Sequence, residues 1–249
     1  VIIISPHNNP AETPVQTAQS RKLLLSAEIV GKKWKIPVHT QIRVAHNVAN
    51  ATLETIRDRN INTVLMGWKG GTSTPGRIFG NVVDTIIRQA SCEVILVKIG
   101  KNLNAKLQNN SFITTSFNRC LVPMAGGPNS KIALNLLPAL VASNQKLRIT
   151  LTQVFPFSQT QTDVKVLQAA RHQLVDTYKL SNQVTTIPIR DDSVAQGIIN
   201  LVKAKKSDLV LLGASREGML QQAVTGNIPE AIAYGVDCTV ILVRGMISE

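Results

Sequence analysis

The stretch Thr63-Val64-Leu65-Met66-Gly67-Trp68-Lys69-Gly70-Gly71-Thr72-Ser73-Thr74-Pro75-Gly76-Arg77-Ile78-Phe79-Gly80-Asn81 decides how the rest of the chain is read. It opens on an apolar run suited to a buried strand. It runs out into Val82, Val83, Ile86 and Ile87, whose spacing predicts a helix. A glycine-rich, hydroxyl-rich, cationic loop therefore joins a strand to a helix. Gly67, Gly70 and Gly71 carry no Cβ, so backbone N–H groups can come close to a ligand. Gly80-Asn81 opens the helix, where free N–H groups and the helix dipole favour an anion. Lys69 and Arg77 add charge, and Thr72, Ser73 and Thr74 add donors. Such a loop suits phosphate. The competing reading is a glycine-rich connection without a ligand.

Working outward, strands and helices alternate. Val1–Ile4 reads as a buried strand, residues 13–34 as a long amphipathic helix and Val38–Val44 as a strand. A helix follows over Val48–Asp58, capped by His46-Asn47, and then the strand that enters the loop. Beyond the loop come a helix to about Ala90 and a β-rich run, Cys92–Ile99. Alternation of this kind means a parallel sheet covered on both faces. Residues 101–117, rich in Asn, Ser and Thr, break the pattern and read as a linker. The alternation then restarts. Strands are expected at Arg119–Ala125, Arg148–Val154, Val184–Ile189, Asp208–Gly213 and Cys238–Arg244. Helices are expected at Ser130–Ala142, Asp163–Tyr178, Val194–Lys205 and about Ile228–Tyr234.

The two halves are copies. Gly67 and Gly213 lie 146 apart (213 minus 67), and the same offset pairs Gly80-Asn81 with Gly226-Asn227 and Cys92 with Cys238. It also superimposes Val94-Ile95-Leu96-Val97 on Val240-Ile241-Leu242-Val243. A register shared by strand, loop and helix is a repeat. It predicts two doubly wound α/β domains in tandem, over residues 1–100 and 118–249. Arg119–Ala125 and Ser130–Ala142 have no counterpart in the first copy. The first domain is thus expected to lack its first strand and helix, elements that are central in such sheets. The expectation is that the chain is a piece of a longer polypeptide, or that another segment fills the gap.

The chain has 249 residues with 27 Lys and Arg against 15 Asp and Glu, a formal charge of +12. The basic residues are scattered and no stacking-aromatic or zinc motif accompanies them, so no nucleic-acid partner is expected. No apolar run approaches the roughly 18 residues of a membrane span. Three cysteines make no disulfide framework. They are expected as free thiols in a reducing compartment.

The spacing Gly67-x2-Gly70-x9-Gly80-Asn81 resembles the nucleotide loop of universal stress proteins, with Asn81 where that family usually has Ser or Thr. With the repeat, the whole chain resembles a tandem universal stress protein. It is similar to the cytoplasmic C-terminal regions of cyanobacterial membrane transporters such as chloride channels and amino-acid permeases. Pro75–Gly80 and the run Val122–Asn129 carry that likeness. The resemblance implies a nucleotide-binding, Rossmann-like regulatory module that is not an enzyme. It implies ATP or a related adenine nucleotide, with Mg, on Gly67, Lys69, Gly70, Gly71, Thr72, Arg77, Gly80 and Asn81. Asp84, one turn into the helix, is the evident carboxylate near the loop; it could hold such an ion through water, while the usual role of a carboxylate at a helix start is to complement the dipole. The second site is degenerate. Ala125 stands where the family's first strand ends in Asp, and Arg216 occupies the place of the loop's second glycine between Gly213 and Gly226-Asn227. The family also implies antiparallel pairing of the final strands, here Glu93–Lys98 with Thr239–Arg244, as an intrachain pseudo-dimer. The implied location is cytoplasmic, beside a membrane and attached to a transporter. Two other readings stand beside this one. One is an interaction or scaffold domain without nucleotide. The other is an ATP pyrophosphatase-like enzyme, since Ala125-Gly126-Gly127-Pro128-Asn129-Ser130 resembles that family's Ser-Gly-Gly-x-Asp-Ser loop with its hydroxyl and carboxylate lost.

Overall fold

The computed structural model describes residues 1–4, 13–68, 78–101, 103, 117–215, 219 and 227–246. The linker beyond its first residues therefore lies outside the described chain. Two compact units form, Val1–Ile61 and Asn62–Glu249.

In the first unit, β1 (Ile2–Ile4) pairs in parallel with β2 (Ile42–Val44), Ile3 opposite Arg43. The strand expected from Val38 is thus confined to its last three residues, because β1 offers only three partners. α1 (Thr13–Trp34) and α2 (Val48–Asp58) take their expected bounds. Asn47 caps α2 by accepting from Asn50 N–H at 3.0 Å. α2 buries Ala49, Ala51, Leu53 and Ile56. Arg43 ties β2 to α2, donating to Thr55 Oγ1 at 2.6 Å and Ala51 O at 3.2 Å. α1 leaves Leu23, Leu25, Ile29 and Trp34 exposed.

The second unit is a seven-stranded sheet in the order β3-β4-β9-β8-β5-β6-β7. Its strands are β3 (Thr63–Gly67), β4 (Glu93–Lys98), β5 (Arg119–Pro123), β6 (Arg148–Phe155), β7 (Val184–Arg190), β8 (Leu209–Gly213) and β9 (Thr239–Arg244). All neighbours are parallel except β4 and β9, which run antiparallel with Leu96 opposite Leu242. Both strands are apolar and β-branched, and each covers an edge the other would leave open. In chain order the second copy reads third, second, first, fourth, fifth across the sheet, the doubly wound order expected of it. The helices are α3 (Asn81–Gln89), α4 (Pro128–Leu134), α5 (Leu137–Ser143), α6 (Lys165–His172), α7 (Val194–Lys205) and α8 (Ile228–Gly235).

Two expected helices differ. The one placed over 130–142 is two, α4 and α5, because Pro138 has no N–H to give Leu134. The one placed over 163–178 begins at Lys165 and ends in a π turn, Gln173–Thr177. The core lies on the second copy's sheet, where Leu121, Ile149, Leu151, Leu209 and Leu211 are wholly buried.

Candidate functional site

The strand β3 delivers the chain to the glycine loop, and α3 takes it away. Lys69, Gly70, Gly71, Thr72 and Arg77 lie outside the described residues, as do Arg216 and Gly226 of the second copy. What the structure shows is how the loop's two ends are held. On the entry side Trp68 is buried and its N–H donates to Val97 O at 2.9 Å. Its ring meets Phe79 edge-on with centroids 4.7 Å apart, and Tyr234 likewise at 5.7 Å. On the exit side Asp84, 2% exposed, accepts from Ile78 N–H at 3.0 Å and Phe79 N–H at 2.9 Å. Both carboxylate oxygens are therefore committed to backbone. This revises Asp84 from a candidate for holding an ion through water to the residue that locks the loop's return.

Gly80 sits at φ +102°, a conformation that side chains rarely adopt, and is the N-cap residue of α3. It brings no side-chain bond, so the first N–H groups of α3 receive none from their cap. Asn81 is exposed and is the first residue of α3 rather than its cap. The same asparagine behaves otherwise in the second copy. Asn227 is buried, caps α8 by accepting from Glu230 N–H at 2.9 Å, and donates to Met219 O at 2.7 Å. Among the described residues one helix start thus has no side-chain cap, and the other is capped.

Of the second copy's remaining site residues, Gly213 serves packing. Gly213 must be glycine, since a Cβ there would lie 2.2 Å from Asn129 O at the first turn of α4. Asn129 Oδ1 in turn accepts from Gly245 N–H at 2.7 Å. Ala125 is exposed just beyond β5, followed by Gly126 at φ +85° and by Gly127, the N-cap of α4. The turn that resembles a pyrophosphatase loop therefore has its Asn129 engaged in holding the last strand's exit.

Sequence reasoning missed a pair of cations. Arg244, 2% exposed, donates to Ala90 O at 2.9 Å and to Gly245 O at 2.8 Å. Lys98 donates to Val236 O at 2.8 Å and to Ala233 O. Ala90 and Val236 are the C-cap residues of α3 and α8, where carbonyls are unpaired and positive charge is favoured. Each copy's last strand thus reaches the other copy's helix end. The signal was available, because Lys98 and Arg244 are themselves 146 apart (244 minus 98). Burial pushes the Lys98 ammonium below its ordinary pKa. The cysteines are free, and burial raises all three thiols, Cys238 to about 11; Cys92 and Cys120 are core residues and Cys238 is partly buried.

Two α/β copies in tandem, joined through their last strands β4 and β9 in a mostly parallel sheet, define the class of fold. The universal stress protein family model matches residues 4–98 and 116–244, and the chain belongs to that family. It is similar to a universal stress protein from Archaeoglobus fulgidus DSM 4304, with a TM-score of 0.65 at 12% identity over 99% of this chain and 85% of that one. It is similar as well to a functionally unknown protein from Pseudomonas aeruginosa PAO1, with a TM-score of 0.55 at 8% identity over 98% of this chain and 81% of that one. A curated relative is the Na(+)/H(+) antiporter NhaS5 of Synechocystis sp., 20% identical over 226 residues. The match takes in 90% of this chain but only 30% of the antiporter's length. Among the described residues no helix is long and apolar enough to cross a membrane.

Proposed function

We propose that the chain is an adenine-nucleotide-responsive regulatory module of a membrane transport protein, with the ligand on the first copy's loop. The observation that carries the reading is the contrast between the two helix starts. α3 begins at a positive-φ glycine with no side-chain cap, so its first N–H groups can receive phosphate, whereas Asn227 already closes α8. The ligand is ATP or a related nucleotide. Its phosphates lie against the backbone of Gly70, Gly71, Gly80 and Asn81 with Lys69 and Arg77 as counter-charges, and Gly67 and Thr72 flank them. Asp84 is already engaged, so magnesium would be held by the phosphates and water.

The tandem arrangement, 1–100 and 118–249 about a linker at 101–117, then divides labour. The first copy binds and the second, with its glycine filled by α4, supports it. The antiporter relative supports attachment to a transporter, and the +12 charge suits the anionic cytoplasmic face of a membrane. The module acts by binding rather than by chemistry.

Calorimetric titration of MgATP into the wild type and Gly70→Arg tests this. The substitution copies Arg216 of the second copy into the loop. Binding in the wild type should be lost in the variant. Equal affinities would remove the loop from the site. No heat with ATP, ADP or AMP would favour the interaction-domain reading instead.

A further inference from the structure

Trp68 and Ala214 follow equivalent glycines and make the same backbone bond. Trp68 N–H donates to Val97 O at 2.9 Å, and Ala214 N–H donates to Val243 O at 3.0 Å. The backbone is repeated, but the side chain is not. Trp68 is 5% exposed and meets Phe79 and Tyr234 edge-on, with ring centroids 4.7 and 5.7 Å away. By the offset of 146, these three aromatic residues correspond to Ala214, Thr225 and Arg88. The second copy thus carries no ring at any of the three places.

The trio also crosses between the copies. Trp68 and Phe79 flank the first copy's glycine loop, whereas Tyr234 lies on the second copy's α8. All three belong to the unit Asn62–Glu249. The end of α8 that carries Tyr234 is tied to the first copy, since Lys98 donates to Val236 O at 2.8 Å and to Ala233 O. The Trp68 ring is held differently. Its indole N–H is buried and has no acceptor among the described residues. Such a donor is costly to bury, and no hydrogen bond fixes the angle of the ring. Packing, to which Phe79 and Tyr234 contribute their rings, therefore sets where Trp68 lies. One turn ahead of Tyr234 on α8, Glu230 feels the charge of Asp84. Asp84 accepts from Ile78 N–H and Phe79 N–H, so one helix stands beside both ends of the loop.

We propose that Tyr234 is a positioning residue for the first copy: through its ring on Trp68, the second copy's α8 fixes the two ends of the glycine loop. The consequence for the ligand, which rests on the nucleotide reading above, is that MgATP on the loop and α8 are coupled. A loop whose ends are already held loses less freedom when it receives phosphate. Linkage then makes the ligand act back on α8 to the same degree. The second copy's loop has no such tie to α3, because Arg88 and Ala214 carry no rings. The coupling is thus built in one direction, from the first copy's loop to the second copy's helix.

Amide exchange tests the positioning without any ligand. Tyr234→Ala should speed exchange of the Trp68 and Phe79 amides at least about tenfold and leave the Leu151 amide of β6 within about twofold. Tyr234→Phe keeps the ring on Trp68 and should leave all three amides within about threefold of the wild type. Unchanged Trp68 and Phe79 exchange in Tyr234→Ala would overturn the proposal. So would equal acceleration at Leu151, which is general destabilisation, or an effect of Tyr234→Phe as large as that of Tyr234→Ala. If Tyr234→Ala does not fold, Tyr234→Leu, which keeps apolar bulk without a ring, is read in the same way. Calorimetry with MgATP tests the coupling. Affinity should fall roughly tenfold in Tyr234→Ala and stay within about threefold in Tyr234→Phe. Binding by the wild type with undiminished affinity in Tyr234→Ala would overturn the coupling. No binding by the wild type would overturn the nucleotide reading instead, and the exchange comparison would still decide whether Tyr234 positions the loop's ends.

Discussion

Gly67 and Gly213 end equivalent strands and pair with equivalent valines, Val97 and Val243, yet their other surroundings differ. Gly213 is pressed against the backbone of α4, while Gly67 faces open space among the described residues. Leu211 is wholly buried beside one and Leu65 is two-thirds exposed beside the other. A repeated sequence thus does not repeat an environment. The register of the copies preserves residues whose physical reason survives in only one of them. The second copy has become the packed half. The first, among the described residues, keeps a helix start without a side-chain cap and a strand-end glycine without a close neighbour.

The sharpest way to break this contrast is to substitute both glycines. Gly213→Ala should destabilise by about 3 kcal/mol or more, because its Cβ would meet a main-chain oxygen that cannot swing aside. Gly67→Ala should stay within about 0.5 kcal/mol. Leu211→Ala and Leu65→Ala should split the same way, at about 3 kcal/mol against a few tenths. Urea unfolding of the four variants reads all of this. Similar losses at Gly67 and Gly213 would mean that Gly67 has a close neighbour too.

A middle-sized effect concerns the joint between the copies, where the comparison predicts likeness instead. Arg244→Met should cost about 2 kcal/mol, since Ala90 O and Gly245 O lose a buried charged donor. Lys98→Met removes the corresponding bonds to Val236 O and Ala233 O. It should cost less, about 1 kcal/mol, because burial already disfavours that ammonium and offsets part of the gain. A Lys98 loss larger than the Arg244 loss would show that the two clamps are not equivalent.

How much of this was legible in the sequence follows the same line. Long periodic elements and the repeat could be read directly, because α1, α2 and α7 take their expected bounds and the offset of 146 maps β3, α3 and β4 onto β8, α8 and β9. The antiparallel meeting of β4 and β9 was legible too, from the resemblance and from their apolar, β-branched composition. Roles within the repeat were not. Asn81 and Asn227 are the same residue in the same register, yet only Asn227 caps its helix, because α3 starts one residue earlier in that register, with Gly80 as its N-cap. Where a helix begins by one residue depends on three-dimensional placement. Lys98 and Arg244 were passed over because a cation at a strand end reads as exposed until the partner copy's helix end is set beside it.

The smallest effect separates Asp84 from Glu230, carboxylates at the same position of the two helices. Asp84 is buried and takes two N–H groups, whereas Glu230 is only partly buried. Burial first, and the nearby Asp84 second, push the Glu230 carboxyl above its ordinary value of 4.5. A carboxyl raised in the folded state binds its proton more tightly there than in the unfolded chain. Its charge therefore detracts from stability increasingly as pH climbs from about the unfolded value through the folded one, and not at all well below both. Glu230→Gln should accordingly raise stability at pH 7 by no more than about 0.5 kcal/mol, a limit set by solvent screening of so exposed a group. The gain should vanish by about pH 3, where both states are protonated. Asp84→Asn should do the reverse at pH 7, lowering stability by about 2 kcal/mol, because an amide offers one acceptor where Ile78 and Phe79 present two donors. Unfolding measured across that pH range in both variants decides the matter. A stabilising Asp84→Asn would mean that the two carboxylates mainly repel each other, and that the loop's return is held by Trp68 and Phe79 instead.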